Sequence, residues 1–439
     1  MNKSLKIEYL QTSELFPYAQ NARTHSGKQI SQIARSIKKF GFINPVIIDE
    51  KKMIIAGHAR VLAAKIIDLN TVPIIRAKYL SEAMKRAYIL ADNKIAENAD
   101  WDEKLLRVEL EYLTHIDIDI DATITGFETA EIDVLLNTPL EDEPEDPPPP
   151  LPDARDTVTR PDDMWFCGAH RIVCGDCRDK SILDVLMENT LAQMVITDPP
   201  YNVPIDGHVC GLGKIKHEDF AMASGEMTSI EFIHFLKECF NQFVKFSTDG
   251  SLHYIFMDWR HLPELLTAGN DVYDAYVNLC VWAKTNGGMG SLYRSQHELI
   301  ALFKNGTASH INNVQLGALG RYRTNVWHYP GVNAFGEGRD EALENHPTVK
   351  PVAMIADAIM DVTQHNDIVL DGFLGSGTTL LAGEQTDRRC YAVEIDPRYV
   401  DVALERWMKM TGEIPIHAQT GLQHAAITEQ RHKHVTCEV

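Results

Sequence analysis

The chain has 439 residues, 44% hydrophobic and 24% charged, with a net charge of -20. That balance describes a globular protein of two or three domains whose core needs no covalent staples, and no stretch approaches the ~18 consecutive apolar residues of a membrane span. The first residues, MNKSLKIEYL, lack the apolar run of a secretory signal, and the 8 cysteines are irregularly spaced, so reduced thiols and a cytoplasmic location are expected.

The acidic mean conceals a basic front. Residues 1–98 hold 16 Lys and Arg against 8 Asp and Glu, whereas residues 139–163 hold 9 acids against 2 bases. Such a distribution argues against a phosphate-binding coat over the whole surface and leaves room for one basic face. Along this front, Ile30, Ile33, Ala34 and Ile37 recur at helical spacing behind a capping Ser26. Short apolar runs at Val46–Ile48 and Met53–Ala56 predict strands. Gly57-His58-Ala59-Arg60 then opens a helix through Leu69, a strand at Val72–Ile75 and a helix from about Ser81 to Glu97 follow, and residues 100–137 read as a small helical extension. The run EDEPEDPPPP, Glu141–Pro150, predicts an extended, solvated linker, because prolines favour polyproline II and the acids repel one another.

Beyond the linker, apolar strands alternate with helical stretches. Strands are expected at Met194–Thr197, Leu252–Phe256, Val277–Trp282, Leu299–Phe303, Ile368–Leu370 and Tyr391–Ile395. Alternation of this kind predicts a doubly wound sheet with ligands at the carboxyl ends of its strands.

Two strand ends carry chemistry. The first runs into Asp198-Pro199-Pro200-Tyr201. Prolines cannot extend a strand ladder, so carbonyls here are available as acceptors. An exocyclic base amine has two N–H groups, which the Asp198 carboxylate and the Pro199 carbonyl can take, while Tyr201 offers a stacking face worth ~1–3 kcal/mol. A base so held must first leave its duplex. The second strand end is Asp371-Gly372-Phe373-Leu374-Gly375-Ser376-Gly377-Thr378, followed by Glu394 at the end of the next strand. Glycines admit a ligand to the backbone, a helix N-terminus offers N–H groups, and an acid at this distance suits ribose hydroxyls; by this pattern alone the loop holds a dinucleotide or S-adenosylmethionine.

Together these motifs resemble the DNA amino-methyltransferases that act on adenine N6 or cytosine N4, over roughly residues 160–410. Their order, catalytic motif before cofactor loop, is similar to that of the circularly permuted beta group. The resemblance implies a catalytic set of Asp198, Pro199, Pro200 and Tyr201. It implies S-adenosylmethionine held by Phe373, Gly375, Gly377, Thr378 and Asp371, with Glu394 on the ribose and Asp176 on the adenine amine. In the segment His346–Pro351 it assigns Thr348 and Lys350 to the methionine end. Asn21-Ala22-Arg23, the first helix and Gly57–Arg60 resemble a ParB/sulfiredoxin-like domain, in which a Gly-x-x-Arg segment binds nucleotide phosphates. His58-Ala59 departs from the Glu-Arg usual in partition proteins.

The expected fold is therefore α/β: a Rossmann-like S-adenosylmethionine-dependent methyltransferase domain behind a smaller ParB-like α/β domain. Boundaries are set at 1–137, a linker at 138–160, the methyltransferase at 161–410 and a solvated tail at 411–439. The expected activity is methylation of N6 of a flipped adenine in double-stranded DNA. Rivals are N4-cytosine methylation, a ParB-like DNA-binding switch with a vestigial second domain, and a dehydrogenase, which would leave Asp-Pro-Pro-Tyr unexplained. Gly57, His58 and Arg60 are candidate contacts to DNA or nucleotide phosphates. Arg321 and Arg323, with Lys284, Tyr293, Arg294 and Tyr322, mix basic and aromatic side chains as a DNA-recognition region would. Cys167, His170, Cys174 and Cys177 are read as buried positions rather than zinc ligands, the tail histidines as adventitious at most, and no metal is expected. A homodimer is compatible with this reading.

Overall fold

In the computed structural model the described residues are 5–96, 101–116, 122–137, 148–153, 155–203, 225–285, 287, 292–317, 321, 323–330 and 350–435. Thr348, Tyr322 and the linker positions 138–147 lie outside them. The chain forms two compact units, Met1–Leu136 and Asn137–Val439.

The first unit is built on a four-stranded sheet in the order β1-β4-β2-β3, with β1 Ile7–Gln11, β2 Val46–Ile48, β3 Ile54–Ala56 and β4 Thr71–Arg76. Helix α1 (Gly27–Phe40) starts where the Ser26 hydroxyl accepts the Gln29 amide at 3.1 Å, a cap legible in the sequence. Helix α2 (His58–Ile66) starts at Gly57, whose φ of +98° suits a residue without Cβ. Leu15, Val46, Ile48, Ile54, Val61, Val72 and Ile74 form the core. Helix α3 (Glu82–Ala96) follows. The extension expected over 100–137 is helical in its described residues: helices α4 (Glu103–Ile116) and α5 (Thr129–Asn137) pack with the 3-10 turn Ala122–Thr125 through Leu110, Ala122 and Ile132.

The second unit is a ten-stranded sheet in the order β11-β9-β10-β8-β7-β12-β13-β6-β5-β14. Its strands are β5 Met164–Cys167, β6 His170–Cys174, β7 Ala192–Thr197, β8 Ser247–Met257, β9 Ala275–Ala283, β10 His297–Lys304, β11 Val326–His328, β12 Ile368–Asp371, β13 Arg389–Glu394 and β14 Ile416–His417. The central strands β8, β7, β12, β13 and β6 run parallel. Their side chains alternate between two cores, as period 2 requires: Met194 and Ile196 face one, Val195 the other. The first core is closed by α9 (Val352–Val362), α10 (Thr378–Gln385) and α11 (Pro397–Thr411). The second is closed by α6 (Lys180–Met187), α7 (Ser229–Lys245) and α8 (Leu262–Val272).

After β7 the chain proceeds to β8 on one side; after β12 it proceeds to β13 on the other. The switch point thus falls between β7 and β12, and the crevice outside their carboxyl ends is where an open α/β sheet accepts ligands. The segment expected to be a solvated tail belongs instead to the fold. β14 pairs with β5, and α12 (His424–Val435) follows. His417 bonds to Asp163 at 3.0 Å and stands edge-on to Trp165, so it is a core residue. No described helix is long and apolar enough to cross a membrane.

Candidate active site

The two chemistry-bearing loops meet at the switch point. β7 and β12 are hydrogen-bonded neighbours, with Val369 opposite Met194 and Leu370 opposite Val195, so Asp198 and Asp371 leave adjacent strands at the same end. The Thr197 hydroxyl donates to Asp371 at 2.8 Å and stitches the two loop bases together.

Asp371 shapes its loop from within. One carboxylate oxygen accepts from the Phe373 amide at 3.0 Å as well as from Thr197, and the other accepts from the Thr379 hydroxyl at 2.7 Å. Burial pushes this carboxyl up to about 6 against those three donors. The resemblance assigns Asp371 to the cofactor; its hydrogen bonds hold the turn in which Gly375 adopts a φ of +54°. A Cβ at Gly375 would meet nothing within 4 Å, so that edge of the loop faces open space. Glu394, at the end of β13, is buried beneath it and accepts from the Gly375 amide at 2.7 Å and the Asp396 amide at 2.9 Å. Burial raises Glu394 to about 7, although both amides act to lower it. Phe373 stands partly buried, its ring 6.2 Å from that of Phe235. Asp176, after β6, is engaged by Arg178 through both oxygens, at 2.6 Å to Nη2 and 3.1 Å to Nε.

Asp198 lies in a network of four further side chains. The Tyr201 hydroxyl donates to its Oδ1, and the Lys350 ammonium donates to its Oδ2. Lys350 also lies 3.1 Å from Glu298 Oε2, and the Tyr201 hydroxyl lies 3.3 Å from the same oxygen. Lys284 donates to the other Glu298 oxygen and sits 4.5 Å above the Trp282 ring. Burial raises Asp198; the Lys350 ammonium opposes this and the Glu298 charge adds to it. Burial would raise Glu298 too, but Lys350 and Lys284 prevail and hold it down at about 2. Lys350, assigned by resemblance to the methionine end of a cofactor, has its ammonium on the Asp198 carboxylate. Glu298 is absent from the residues the sequence points to, because a lone acid at the head of an apolar strand gives no signal by itself. Thr378, also assigned to the cofactor, is buried, with its hydroxyl 3.4 Å from the Lys350 carbonyl.

Arg321 and Arg323 are not on a recognition surface. Arg321 is 7% exposed and donates to Asp361 at 2.8 Å and Asp357 at 3.1 Å. Arg323 bonds the same two carboxylates, each at 3.1 Å. Both guanidiniums tie the β11 region to α9, so the expected phosphate contact gives way to a structural ion-pair cluster. Tyr293 and Arg294 are exposed. Cys167, Cys174 and Cys177 are buried thiols, and His170 is held by Glu384 at 2.9 Å and by the Cys390 amide at 2.9 Å. Among the described residues, no group of three or more His, Cys, Asp or Glu is placed to hold a metal ion.

In the first unit a cavity of about 530 Å³ is lined by residues that include Asn21, His25, Asn44, Gly57, His58 and Arg60. Arg60 lies across Gly57 and donates to the Asn44 carbonyl at 3.0 Å. His58 Nε2 accepts the Tyr18 amide at 3.2 Å, so its proton is on Nδ1. Burial and the nearby His25 depress His58, which keeps its ring neutral.

Three segments of the chain match known families. Residues 1–93 match the ParB N-terminal domain, 104–161 the ParB-methyltransferase HTH domain, and 192–405 the DNA methylase family of N6 and N4 enzymes. The small helical extension expected over residues 100–137 thus overlaps most of the helix-turn-helix match. The ParB-like nuclease domain-containing protein YnaK of Escherichia coli is 51% identical over 86 residues, which are 20% of this chain and 99% of that protein. The type II methyltransferase M.HpaI of Haemophilus parainfluenzae is 25% identical over 254 residues, 54% of this chain and 73% of that one. M.BglII of Bacillus subtilis is 26% identical over 307 residues, 62% and 76% of the two chains. Among solved structures, the PvuII DNA methyltransferase (cytosine-N4-specific) overlays with a TM-score of 0.41 at 15% identity, covering 59% of this chain and 90% of that one. With Asp-Pro-Pro-Tyr and the glycine loop side by side at the switch point of a Rossmann-like sheet, the chain carries a domain of the N6/N4 DNA methylase family over residues 192–405 and, in front of it, a ParB N-terminal domain.

Proposed function

We propose that the protein transfers a methyl group from S-adenosylmethionine to N6 of an adenine flipped out of double-stranded DNA. The observation that carries this reading is the adjacency of Asp198 and the Gly375 loop at the carboxyl ends of two neighbouring parallel strands. Residues around that loop suit the cofactor: Gly375 fronts open space, and the buried Glu394 carboxylate beneath it suits a ribose diol. Bound there, S-adenosylmethionine supplies an electrophilic methyl group on a positively charged sulfur.

The protein's own residues do the rest. Asp198 and the Pro199 carbonyl accept the two amine hydrogens, which aims the nitrogen lone pair at the methyl carbon. The carboxylate would then stabilise the positive charge that grows on nitrogen as the nitrogen–carbon bond forms and the methyl carbon's bond to sulfur breaks, and would take up the amine proton that the methylated base releases. Pro200 and Tyr201 fix the turn, and the tyrosine ring is positioned to flank the base. The Asp at the head of the motif favours adenine by resemblance; N4 of cytosine would present the same two hydrogens to the same acceptors. Around this site we place double-stranded DNA as partner and the cytoplasm as location. We assign the Gly57–Arg60 cavity to a phosphate group, of a nucleotide or of DNA.

The test is base-resolved detection of methylation in DNA exposed to the wild-type protein and to Asp198→Ala. N6-methyladenine with the wild type alone supports the proposal. N4-methylcytosine would replace adenine by cytosine as the target. Undiminished methylation by a folded Asp198→Ala protein would remove Asp198 from the chemistry.

A further inference from the structure

Asp198 can accept a target amine only with its oxygens available, yet both are engaged: Tyr201 donates to one and Lys350 to the other. A lysine ammonium left on that carboxylate would also repel the positive charge that methylation creates on the substrate nitrogen. Lys350 therefore needs a second anionic partner within reach when the base arrives. Glu298 is that partner. Its Oε2 already lies 3.1 Å from Lys350 Nζ and 3.3 Å from the Tyr201 hydroxyl, so both groups that block Asp198 contact the same oxygen of Glu298. Moving from one carboxylate to the other requires only a rotation of each side chain's end.

The surroundings favour a charged, fixed Glu298. Its side chain is 14% exposed and that of Lys350 is 6% exposed, so neither charge has bulk water to compensate it. Glu298 sits on β10 opposite Trp282 of β9, and Lys284, just past the end of β9, grips its other oxygen from above the Trp282 ring. Across the cluster two carboxylates face two ammonium groups, so the lysine can transfer without creating a net buried charge. Phe256, whose ring lies 5.2 Å from the Lys350 ammonium, lines its route with an apolar face.

We infer that Glu298 is a positioning residue that draws Lys350 and the Tyr201 hydroxyl off Asp198 when the target base enters, and so frees the catalytic carboxylate to take the amine. The inference rests on the assignment of Asp198 to the target amine. Glu298 itself does not touch the substrate.

A double-mutant cycle in the full chain tests it, with Glu298→Gln, Lys350→Met and the pair, read by kcat, by KM for DNA and by S-adenosylmethionine affinity. Glu298→Gln leaves the lysine on Asp198; kcat should fall by about tenfold or more while S-adenosylmethionine affinity holds. In the Lys350→Met background the same change should cost far less, because only the Tyr201 hydroxyl is left to receive and a glutamine oxygen accepts a hydroxyl as well. A wild-type kcat for Glu298→Gln overturns the inference, as do losses that multiply across the two sites. If thermal melting shows Glu298→Gln unfolded, Glu298→Asp keeps the charge but withdraws it by one methylene, and the same cycle decides by the same criteria. Asp198→Ala separates the two levels. If that variant retains activity, the assignment of Asp198 fails; if it is inactive while Glu298→Gln behaves as wild type, only the role of Glu298 fails.

Discussion

With the ribose placed on Glu394 as proposed, one buried carboxyl would tie cofactor affinity to pH. Burial raises it to about 7, far above an ordinary glutamate, because the Gly375 and Asp396 amides only partly replace lost water. Below the ordinary value of 4.5 it is protonated in folded and unfolded chains alike. Between that value and about 7 the unfolded chain releases the proton first, so the contribution of Glu394 to stability falls as pH rises through this window. Ligand binding has the opposite sign. A ribose diol donates its hydroxyl hydrogens, and a carboxylate accepts them better than a carboxylic acid does. S-adenosylmethionine affinity should therefore rise as pH is taken from about 6 to about 8, and calorimetric titrations of Glu394→Gln should lack that rise. Glu394→Ala should lose ~1.5–3 kcal/mol of binding at the upper end, the scale of a hydrogen bond to a charged group. A pH dependence identical in wild type and Glu394→Gln would show that Glu394 does not face the ligand.

Elements explain which glycines of the loop serve the fold and which serve the ligand. Gly377 begins α10 at a φ of +90°, and a Cβ there would stand 2.8 Å from the Ala403 Cβ on α11. Gly375 is also left-handed, but its Cβ would meet open space. Gly377→Ala should destabilise the protein by ~1–3 kcal/mol, since strain and overlap act together. Gly375→Ala should cost less stability and more S-adenosylmethionine affinity. Denaturation midpoints and calorimetry on both variants check the contrast; equal losses of stability would put the Gly375 side chain against protein.

At this same scale it is clear what can be read in the sequence. Strands β7, β8, β10, β12 and β13 are buried on both faces along much of their length, so each carries a short apolar run, such as Met194–Ile196, Tyr254–Met257 and Leu299–Phe303. β1 is an edge strand with exposed Ile7 and Tyr9, and β14 is two residues long, so neither leaves such a run. Asp198 and the glycine loop are legible because their chemistry is local to a strand end. Glu298, Asp357 and Asp361 are not, because each acquires its meaning from a partner 34 to 52 residues away. Arg321 and Arg323 mislead for that reason: their basic and aromatic neighbours are visible in the sequence, whereas their carboxylate partners wait on α9.

For the whole molecule the question is whether the second unit works alone. Its anchors lie after the acidic run: the Val158 and Thr159 amides donate to Asp401 at 2.6 and 3.0 Å, and Arg431 reaches back to Asp163. A fragment beginning near Leu151 keeps all of them, together with every residue of the Asp198 network and the Gly375 loop. It should fold and methylate DNA. The 16 Lys and Arg of residues 1–98 go with the part removed, and so does most of the helix-turn-helix match. Every phosphate that the fragment no longer neutralises should flatten the log–log salt dependence of DNA binding by ~0.9. The fragment should therefore bind more weakly at low salt and converge on the full chain at high salt. Arg60→Ala in the full chain distinguishes two roles for the Gly57 cavity. If the cavity touches DNA, the variant should show part of the fragment's decrease in slope; if it holds a free nucleotide, DNA binding should persist while nucleotide binding disappears. Salt titrations of the full chain, the fragment and the variant make the comparison. Identical slopes for all three would remove residues 1–150 from the DNA interface, and a folded but inactive fragment would show that methyl transfer depends on the first unit.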